Sequence, residues 1–356
     1  MKAWVATRKG LFELELAAGA WRIARTSFLG EPVTQVLPPG SSGEPMIAAL
    51  NLGHFGVKLQ ASYDQGLSWR EVACPTFPVQ PDGAAGAPWK LVQVWSMERG
   101  NGSLWAGTLP GGLFRSRDEG ASWQLVESLW NRPERLAWFG GGYDVPGIHS
   151  ICLHPQRPQE LVLGISCGGV WYSHDDAKTW ALRGSGLLAS YMPPEQAADA
   201  NIQDPHRLAR CAAYPEVLWC QHHCGIWRSH DNAQSWQAVT TAPGSSFGFA
   251  VAAHPQNPLT AWFVPAVADE KRVPIDAALC VNRTVDGGVT FETFRAGLPQ
   301  SDCYDLVYRH GLAVSQDGQH LLMGSTTGGV WASVDAGQTW QTVANRLQPI
   351  YSVRFE

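Results

Sequence analysis

Apolar and polar residues alternate along this chain in short runs that glycine-rich turns separate. Two of these runs are L-W-A-G-T-L-P-G-G-L-F-R, Leu104 to Arg115, and L-V-L-G-I-S-C-G-G-V-W-Y, Leu161 to Tyr172. Alternation on both sides of a glycine turn predicts two antiparallel strands joined as a hairpin. We therefore expect a chain built from β-hairpins.

A polar turn that ends in an aromatic residue follows these hairpins. Its frame is Ser/Thr-x-Asp-x-Gly/Ala-x-x-aromatic, and a degenerate copy ends at Trp21. The closing aromatic residue recurs roughly every 50 residues, and a further apolar segment such as Ile148 to Pro155 precedes the hairpin, which makes four strands per repeat. This period is typical of propeller blades. The six full copies are Ser62 to Trp69, Ser116 to Trp123, Ser173 to Trp180, Ser229 to Trp236, Thr284 to Phe291 and Ser333 to Trp340.

The two ends of the chain predict how the propeller closes. The first residues, Ala3 to Phe12, match the second and third strands of a blade, whereas Gln348 to Glu356 match a first strand. Pairing them leaves no open edge between the first and last blades. The sequence thus predicts an all-β fold, a single seven-bladed β-propeller domain over residues 1–356 with four-stranded antiparallel blades. Residues 1–27 plus 348–356 form its first blade.

The repeated turn predicts a structural role for its aspartates. Asp and Ser side chains cap backbone N–H groups, Gly permits a positive φ, and Trp folds back onto the sheet. The turn resembles the BNR, or Asp-box, repeat of sialidases, xyloglucanase-like glycoside hydrolases, sortilin-type receptors and photosystem II assembly factor-like proteins. Related bacterial sequences are often labelled sialidase-like. The resemblance implies the fold and leaves the activity open, because function depends on sites built onto a fold.

Composition and charge bear on which partners the protein has. The net charge is −5 and the chain has no long basic run, so we expect no nucleic-acid partner and no membrane partner. No apolar run reaches the length of a signal peptide or of a spanning helix. We therefore expect a cytoplasmic protein whose eight cysteines are thiols.

Irregular loops indicate where a site would lie. Loops from the second to the third strand and loops between blades emerge on one face of a propeller. The long connections Trp130 to His149 and Tyr191 to His206, and the turn Cys220 to Cys224, belong to the fourth and fifth blades. The sixth blade carries the insertion Val264 to Ala278. We expect four histidines to converge on this face, with Asp144, Glu195 and Asp204 as carboxylate neighbours: His149, His206, His222 and His223.

Neutral imidazoles are ligands for a divalent transition metal, so these four histidines are candidate metal ligands. The alternative is that they hydrogen-bond loop backbone. With a metal, the site would be that of a hydrolase- or lyase-like enzyme, glycosidase-like in its use of carboxylates, acting on a small carbohydrate-like or acidic substrate. The candidate catalytic residues are Asp144, Glu195 and Glu270, and the candidate substrate-binding residues are Arg8, His54, Tyr143, Tyr191, Lys271 and Arg272.

Two other functions compete with this one. A binding or assembly propeller would dock a protein partner or a cofactor on the same face through an apolar patch. The loops contain many His, Asp, Glu, Arg and Tyr residues, which favours a polar pocket instead. A true sialidase fits less well, since the nearest match to the family's Phe-Arg-Ile-Pro type motif, Arg272 to Pro274, lies in the sixth blade and not the first.

Overall fold

The predicted fold class is confirmed. A computed structural model describes residues 1–40, 43–100, 102–141 and 143–356. Its strands form seven four-stranded antiparallel sheets. Within each sheet, neighbouring strands are also consecutive in the chain, except in the blade to which both chain ends contribute. The protein is a seven-bladed β-propeller. Within the described residues the one α-helix, α1, is the short segment Glu127–Trp130, and no helix there is long and apolar enough to cross a membrane.

The chain divides into two compact units, and the first comprises Met1–Gly30 and His206–Glu356. It holds four blades, and a 3₁₀ turn at Ile275–Ala277 lies in the insertion of the sixth. The strands are β1 Lys2–Thr7, β2 Gly10–Ala17, β3 Ala20–Ser27 and β28 Ile350–Phe355 in the first blade; β16 Pro205–Arg210, β17 Leu218–His222, β18 Gly225–Ser229 and β19 Gln237–Val239 in the fifth; β20 Gly248–Ala253, β21 Ala261–Pro265, β22 Val281–Thr284 and β23 Glu292–Phe294 in the sixth; and β24 Leu312–Val314, β25 Leu321–Gly324, β26 Val330–Ser333 and β27 Gln341–Ala344 in the seventh.

The second unit, Glu31–Pro205, holds three blades. Its loops contain α1 and three 3₁₀ turns at Gly53–Phe55, Pro133–Ala137 and Ala200–Ile202. The strands are β4 Val33–Leu37, β5 Met46–Asn51, β6 Val57–Ser62 and β7 Arg70–Val72 in the second blade; β8 Gln93–Gly100, β9 Ser103–Leu109, β10 Leu113–Ser116 and β11 Gln124–Leu125 in the third; and β12 Ile148–Leu153, β13 Leu161–Ile165, β14 Gly169–Ser173 and β15 Ala181–Leu182 in the fourth.

The two chain ends pair in the first blade, as predicted. Strand β28 runs antiparallel to β1, with Val5 opposite Val353 and Thr7 opposite Ile350. Ile350 and Val353 are each 2% exposed. The last strand of the chain therefore contributes both hydrogen bonds and buried apolar surface, and β1 has no open edge.

The repeated turns have the same hydrogen bonds in all six full copies. The hydroxyl of the first residue donates to the aspartate Oδ1 at 2.7 to 2.9 Å. It also accepts the N–H of the fifth residue at 2.7 to 3.0 Å. The aspartate Oδ1 then accepts the N–H of the seventh residue at 2.8 to 2.9 Å. The aspartates are structural, because they satisfy N–H groups that a tight turn leaves without backbone partners.

The fifth residue of each turn has a positive φ, which the sequence predicted for the glycines. Two copies place alanine there, and Ala177 and Ala233 adopt φ of 65° and 66°. Their hydrogen bonds to the turn serine hold a conformation that alanine rarely takes. The turn thus tolerates a side chain at this position.

Large apolar side chains fill the space between neighbouring blades of each unit. Trp105 and Trp171 lie in one cluster in the second unit, and Trp262 lies in a cluster of the first. Each of these three tryptophans is at most 1% exposed. A buried indole removes about 150 to 250 Å² from water, so these clusters contribute much of the stability of the propeller.

The first strands of several blades are irregular near their starts. The pairing register shifts between Val94 and Ser96 in β8 and between Ile148 and Ser150 in β12. A bulge turns a side chain out of the normal alternation. Side chains beside such bulges bond the next blade of the same unit. Ser96 Oγ donates to the carbonyl of Ile148 at 2.9 Å. Gln35, which follows a similar register shift in β4, donates from Nε2 to the carbonyl of Trp95 at 2.8 Å.

Candidate functional site

Two imidazoles and a carboxylate come together where β16 begins. Only Pro205 separates Asp204 from His206, so chain connectivity itself keeps these two residues adjacent. His223 follows β17 in the same blade. One ligand atom of each residue lies within 4.8 Å of the other two. Two imidazoles with one carboxylate are a known ligand set for divalent transition metals, and small side-chain movements would bring all three onto one ion.

His206 is held in a fixed orientation. Its ring is 1% exposed, and Nδ1 donates to the carbonyl oxygen of Gly248 at 2.6 Å. The ring also stacks on Phe249 with centroids 4.3 Å apart and an interplanar angle of 12°. Because a carbonyl oxygen can only accept, Nδ1 carries the hydrogen, and Nε2 is the nitrogen that could hold a metal. Ligand histidines in metalloproteins are oriented in this way.

Asp204 is also oriented by its neighbours. The carboxylate is 3% exposed, and its Oδ1 accepts the N–H of Cys167 at 3.1 Å. Cys167 lies in the turn between β13 and β14. The same turn bonds the residue before Asp204, since Gly169 N–H donates to the Gln203 carbonyl at 2.9 Å. The turn of the fourth blade therefore holds the segment that enters β16.

His149 and His222, the other two predicted ligands, make different contacts. His149 lies at the bulge of β12, where Nδ1 is 2.9 Å from Ser150 Oγ and the ring lies edge to face with Trp95. His222 is fully buried, and its Nδ1 accepts the N–H of Cys224 at 3.0 Å. Among the described residues, the group with metal-binding spacing consists of Asp204, His206 and His223. The role of His149 and His222 as ligands stays a prediction.

The three predicted catalytic carboxylates lie in exposed loop segments. Asp144 follows the 3₁₀ turn at Pro133–Ala137, Glu195 lies before the one at Ala200–Ile202, and Glu270 lies in the insertion of the sixth blade. Asp204, which the sequence indicated as a carboxylate neighbour of the histidines, is the buried one. The general acid and base roles of Asp144, Glu195 and Glu270 stay predictions.

The predicted substrate-binding residues differ in how they are held. Arg8, His54 and Lys271 are exposed. Tyr143 is 44% exposed and lies edge to face with Trp95. Tyr191 is 40% exposed, and its hydroxyl donates to the Ile202 carbonyl at 3.0 Å. The two tyrosines combine an ordered ring with access to solvent, as ligand-contacting aromatic residues do.

Arg272 is linked to the candidate ligand His206 through one aromatic ring. The guanidinium carbons of Arg272 and Arg309 each lie 5.3 Å from the centroid of Phe249. His206 stacks on this same ring. Two cationic groups and one imidazole therefore contact the ring of Phe249.

Hydrogen bonds keep Arg272 in place. Burial acts to lower the pKa of Arg272, but its bonds with Tyr308 and Asp269 outweigh burial and raise it. Its Nε donates to Asp269 Oδ1 at 3.0 Å. Neither Tyr308 nor Arg309 was predicted from the sequence, because both belong to a connection before β24 that carries no repeat, cluster or glycine signal.

Comparison with known proteins gives matches in structure alone. No protein-family model matches the sequence, and no curated protein matches it. The GH74 xyloglucanase from Xanthomonas campestris is 18% identical, with a TM-score of 0.62 over 97% of this chain and 52% of that chain. YCF48 from Cyanidioschyzon merolae is 11% identical, with a TM-score of 0.55 over 89% of this chain and 87% of that chain. A structure of YCF48 bound to D1 peptide is 12% identical, with a TM-score of 0.51 over 86% and 83%.

The likeness is one of fold. Identities this low do not carry an activity from one propeller to another. This chain also spans about half the length of the xyloglucanase that it matches. The structural neighbours include enzymes and a peptide-bound protein, so they leave both kinds of function open.

The loops of the second unit expose more apolar surface than the sequence led us to expect. Leu136 is 57% exposed and Phe139 is 38% exposed in the connection before β12. Leu188 is 49% exposed in the connection before β16. The composition of these loops favoured a polar pocket, but exposure of single side chains depends on how each loop folds back, which composition does not show.

Proposed function

We propose that the protein is a metal-assisted enzyme of the hydrolase or lyase type, with Asp204, His206 and His223 as the metal ligands. The observation that carries this proposal is the spacing of their ligand atoms, all within 4.8 Å of one another. A divalent ion bound there would act as a Lewis acid on a substrate oxygen or on water. His223 is only partly buried, so substrate reaches the ion from its side.

The substrate in this proposal is a small acidic or carbohydrate-like molecule. The partly exposed guanidinium of Arg272, which also bonds Asp269, is the cation that an acidic group of the substrate would meet. In the second unit, Tyr143 and Tyr191 have exposed rings of the kind that contact sugars, and their role in substrate binding stays a prediction. Glu195, in the loop that leads to the metal ligands, is the nearest candidate along the chain for general acid or base.

Metal content tests the proposal most directly. Inductively coupled plasma mass spectrometry of the purified full chain, followed by a Co²⁺ titration of the chelator-treated protein, measures what the site holds. His206→Gln is the informative variant, because glutamine keeps the bond to the next blade, as Gln35 does at 2.8 Å in the other unit, and removes the imidazole. His223→Ala removes the more exposed ligand, and His174→Ala is the control in an exposed turn residue.

We expect metal in the wild-type protein, weaker Co²⁺ binding by at least about 10-fold in both ligand variants, and no change in His174→Ala. A wild-type protein that holds no metal and takes up no Co²⁺ would contradict the proposal. The substrate class is tested separately with sugars, sugar acids and lactones in a thermal-shift screen of the metal-loaded protein. A ligand at about 100 times its Kd stabilises the folded state by about 2.7 kcal/mol, which such a screen detects.

A second candidate function is that of a binding propeller that docks a protein partner. The exposed apolar side chains Leu136, Phe139 and Leu188 favour it, because contacts of that type anchor protein interfaces. Absence of metal binding, together with unchanged thermal stability in His223→Ala, would favour this function over the enzyme. The cytoplasmic location remains a prediction under either function.

A further inference from the structure

The turn between β13 and β14 has an unusual backbone conformation next to the proposed metal ligands. Cys167 adopts φ of 46°, in the left-handed region. Residues other than glycine, asparagine and aspartate seldom occupy that region, and they do so at a free-energy cost. Such strain is found where a structure needs a backbone group to point in a particular direction.

The backbone group that this turn directs is the Cys167 N–H. It points at Asp204 Oδ1, with the nitrogen 3.1 Å from the oxygen. The two residues are 37 positions apart in the chain. A backbone donor from the turn therefore holds one oxygen of this carboxylate in place. Partners that orient a metal-binding carboxylate typically change metal affinity by about 10- to 100-fold.

Two neighbouring features show that the turn borders the site closely. The hydroxyl of Ser166, the residue before Cys167, is buried and makes no hydrogen bond to the described part of the chain. Gly141 lies against both residues: a Cβ there would overlap Ser166 Oγ and would lie 3.6 Å from Asp204 Oδ1. A methyl group at residue 141 would therefore press on the turn, through Ser166 Oγ and Cys167 Sγ, and would lie in ordinary contact with the carboxylate.

We infer that the turn Ser166 to Gly169 is a positioning element of the metal centre and acts through the Cys167 N–H on Asp204. This inference rests on the proposed function. It assigns Cys167 a role that needs its backbone and not its thiol, because the hydrogen bond uses the main-chain nitrogen. Glycine at this position keeps the N–H and accepts the positive φ freely, whereas a β-branched residue resists it.

The test compares Cys167→Gly with Cys167→Val in the full chain, using Co²⁺ as the probe. The Kd comes from titration of the visible Co²⁺ absorption of the bound ion, well below the melting temperature. We expect Cys167→Gly to bind Co²⁺ like the wild-type protein and Cys167→Val to bind it about 10- to 100-fold more weakly. A role confined to stability would lower the melting temperature of Cys167→Val and leave the Kd and the Co²⁺ spectrum of the folded protein unchanged.

The outcomes distinguish failure of the positioning role from failure of the proposed function. Wild-type binding with equal Kd values in Cys167→Val and the wild-type protein would overturn the positioning role and leave the metal centre in place. Weak binding in Cys167→Gly as well would overturn it in favour of a role for the thiol. A wild-type protein that binds no Co²⁺ would overturn both. If Cys167→Val does not fold, Gly141→Ala makes the same test from the other side of the turn, with the same weaker binding expected.

Discussion

Asp175, in the repeated turn of the fourth blade, makes a quantitative test of the structural role of these aspartates. Its Oδ1 accepts from Ser173 Oγ at 2.9 Å, from Lys178 N at 3.1 Å and from Thr179 N at 2.9 Å. Its Oδ2 accepts from Thr179 Oγ1 at 2.6 Å. Asp175→Ala removes all four bonds, whereas Asp175→Asn keeps the three to Oδ1.

The expected losses follow from these four bonds. Lys178 and Thr179 are exposed, so in Asp175→Ala water can accept their hydrogen bonds in place of the carboxylate. Each bond therefore contributes to the free energy of unfolding at the low end of the usual range. At about 0.5 to 1 kcal/mol for each of the four bonds, we expect Asp175→Ala to lower the free energy of unfolding by about 2 to 4 kcal/mol. Asp175→Asn should lower it by about 1 kcal/mol, since only the Oδ2 acceptor is lost.

The pH dependence follows from the pKa of Asp175. Burial acts to raise this pKa, but the bonds from Thr179 and Ser173 outweigh burial and lower it to about 2. In the unfolded chain it is about 3.9. The carboxylate therefore stabilises the fold above about pH 4, and this contribution is lost as the pH falls toward 2. The stability difference between the wild-type protein and Asp175→Asn should shrink over the same interval.

Urea denaturation followed by tryptophan fluorescence at pH 7, 5 and 3 measures these differences as shifts in the midpoint. Asp82→Ala, at an exposed loop aspartate, is the control and should shift nothing. Equal midpoints for Asp175→Ala and the wild-type protein at pH 7 would refute the structural role. A difference between the wild-type protein and Asp175→Asn that persists unchanged from pH 7 to pH 3 would refute the lowered pKa of Asp175.

Three further predictions concern the backbone, the thiols and the chain ends. Gly328→Ala should lower the free energy of unfolding by about 3 kcal/mol or more in urea denaturation, because φ there is 93° and a Cβ would overlap a backbone carbonyl oxygen. Gly19→Ala, with φ of 81° and no atom within 4 Å of the added Cβ, should lower it by only about 1 to 2 kcal/mol. Burial raises the pKa of Cys74 to about 12 and that of Cys303 to about 11. Iodoacetamide at pH 8 should therefore alkylate both thiols slowly in the native protein and rapidly in urea. Equal alkylation rates in the two states, measured by mass spectrometry, would contradict this prediction. Deleting residues 350–356 should leave β1 as an open edge and cause aggregation on size-exclusion chromatography, while a monomeric, fully stable product would show that closure is dispensable.

The blade architecture was predictable because its signals are local. Alternating apolar residues and the six polar turns are properties of a few neighbouring residues, and each repeat shows them again. Even the closure of the first blade followed from the strand types at the two chain ends. Ala177 and Ala233 show the limit of this reasoning: the sequence pointed to glycine for a positive φ, but the serine bond holds alanine there as well.

The candidate site was predictable only in outline. Long loops and their histidines indicated the fourth and fifth blades, and His206 and His223 were among the residues named. Which imidazoles approach a carboxylate depends on long-range bonds such as the one from Cys167 N–H to Asp204, across 37 residues. Arg309 and Tyr308 had no signal at all, because nothing in their own segment differs from an ordinary connection.

The sequence by itself thus determined the number of blades, the strands of each blade and the way the chain ends meet, since period and turn chemistry are encoded within each repeat. Only the tertiary structure decided that the ligand atoms of Asp204, His206 and His223 lie within 4.8 Å of one another. It also decided that Arg272 and Arg309 both contact the ring of Phe249. The physical reason is that such long-range contacts depend on backbone direction in turns and loops, where hydrogen bonds to distant residues select one conformation among several that the local sequence allows.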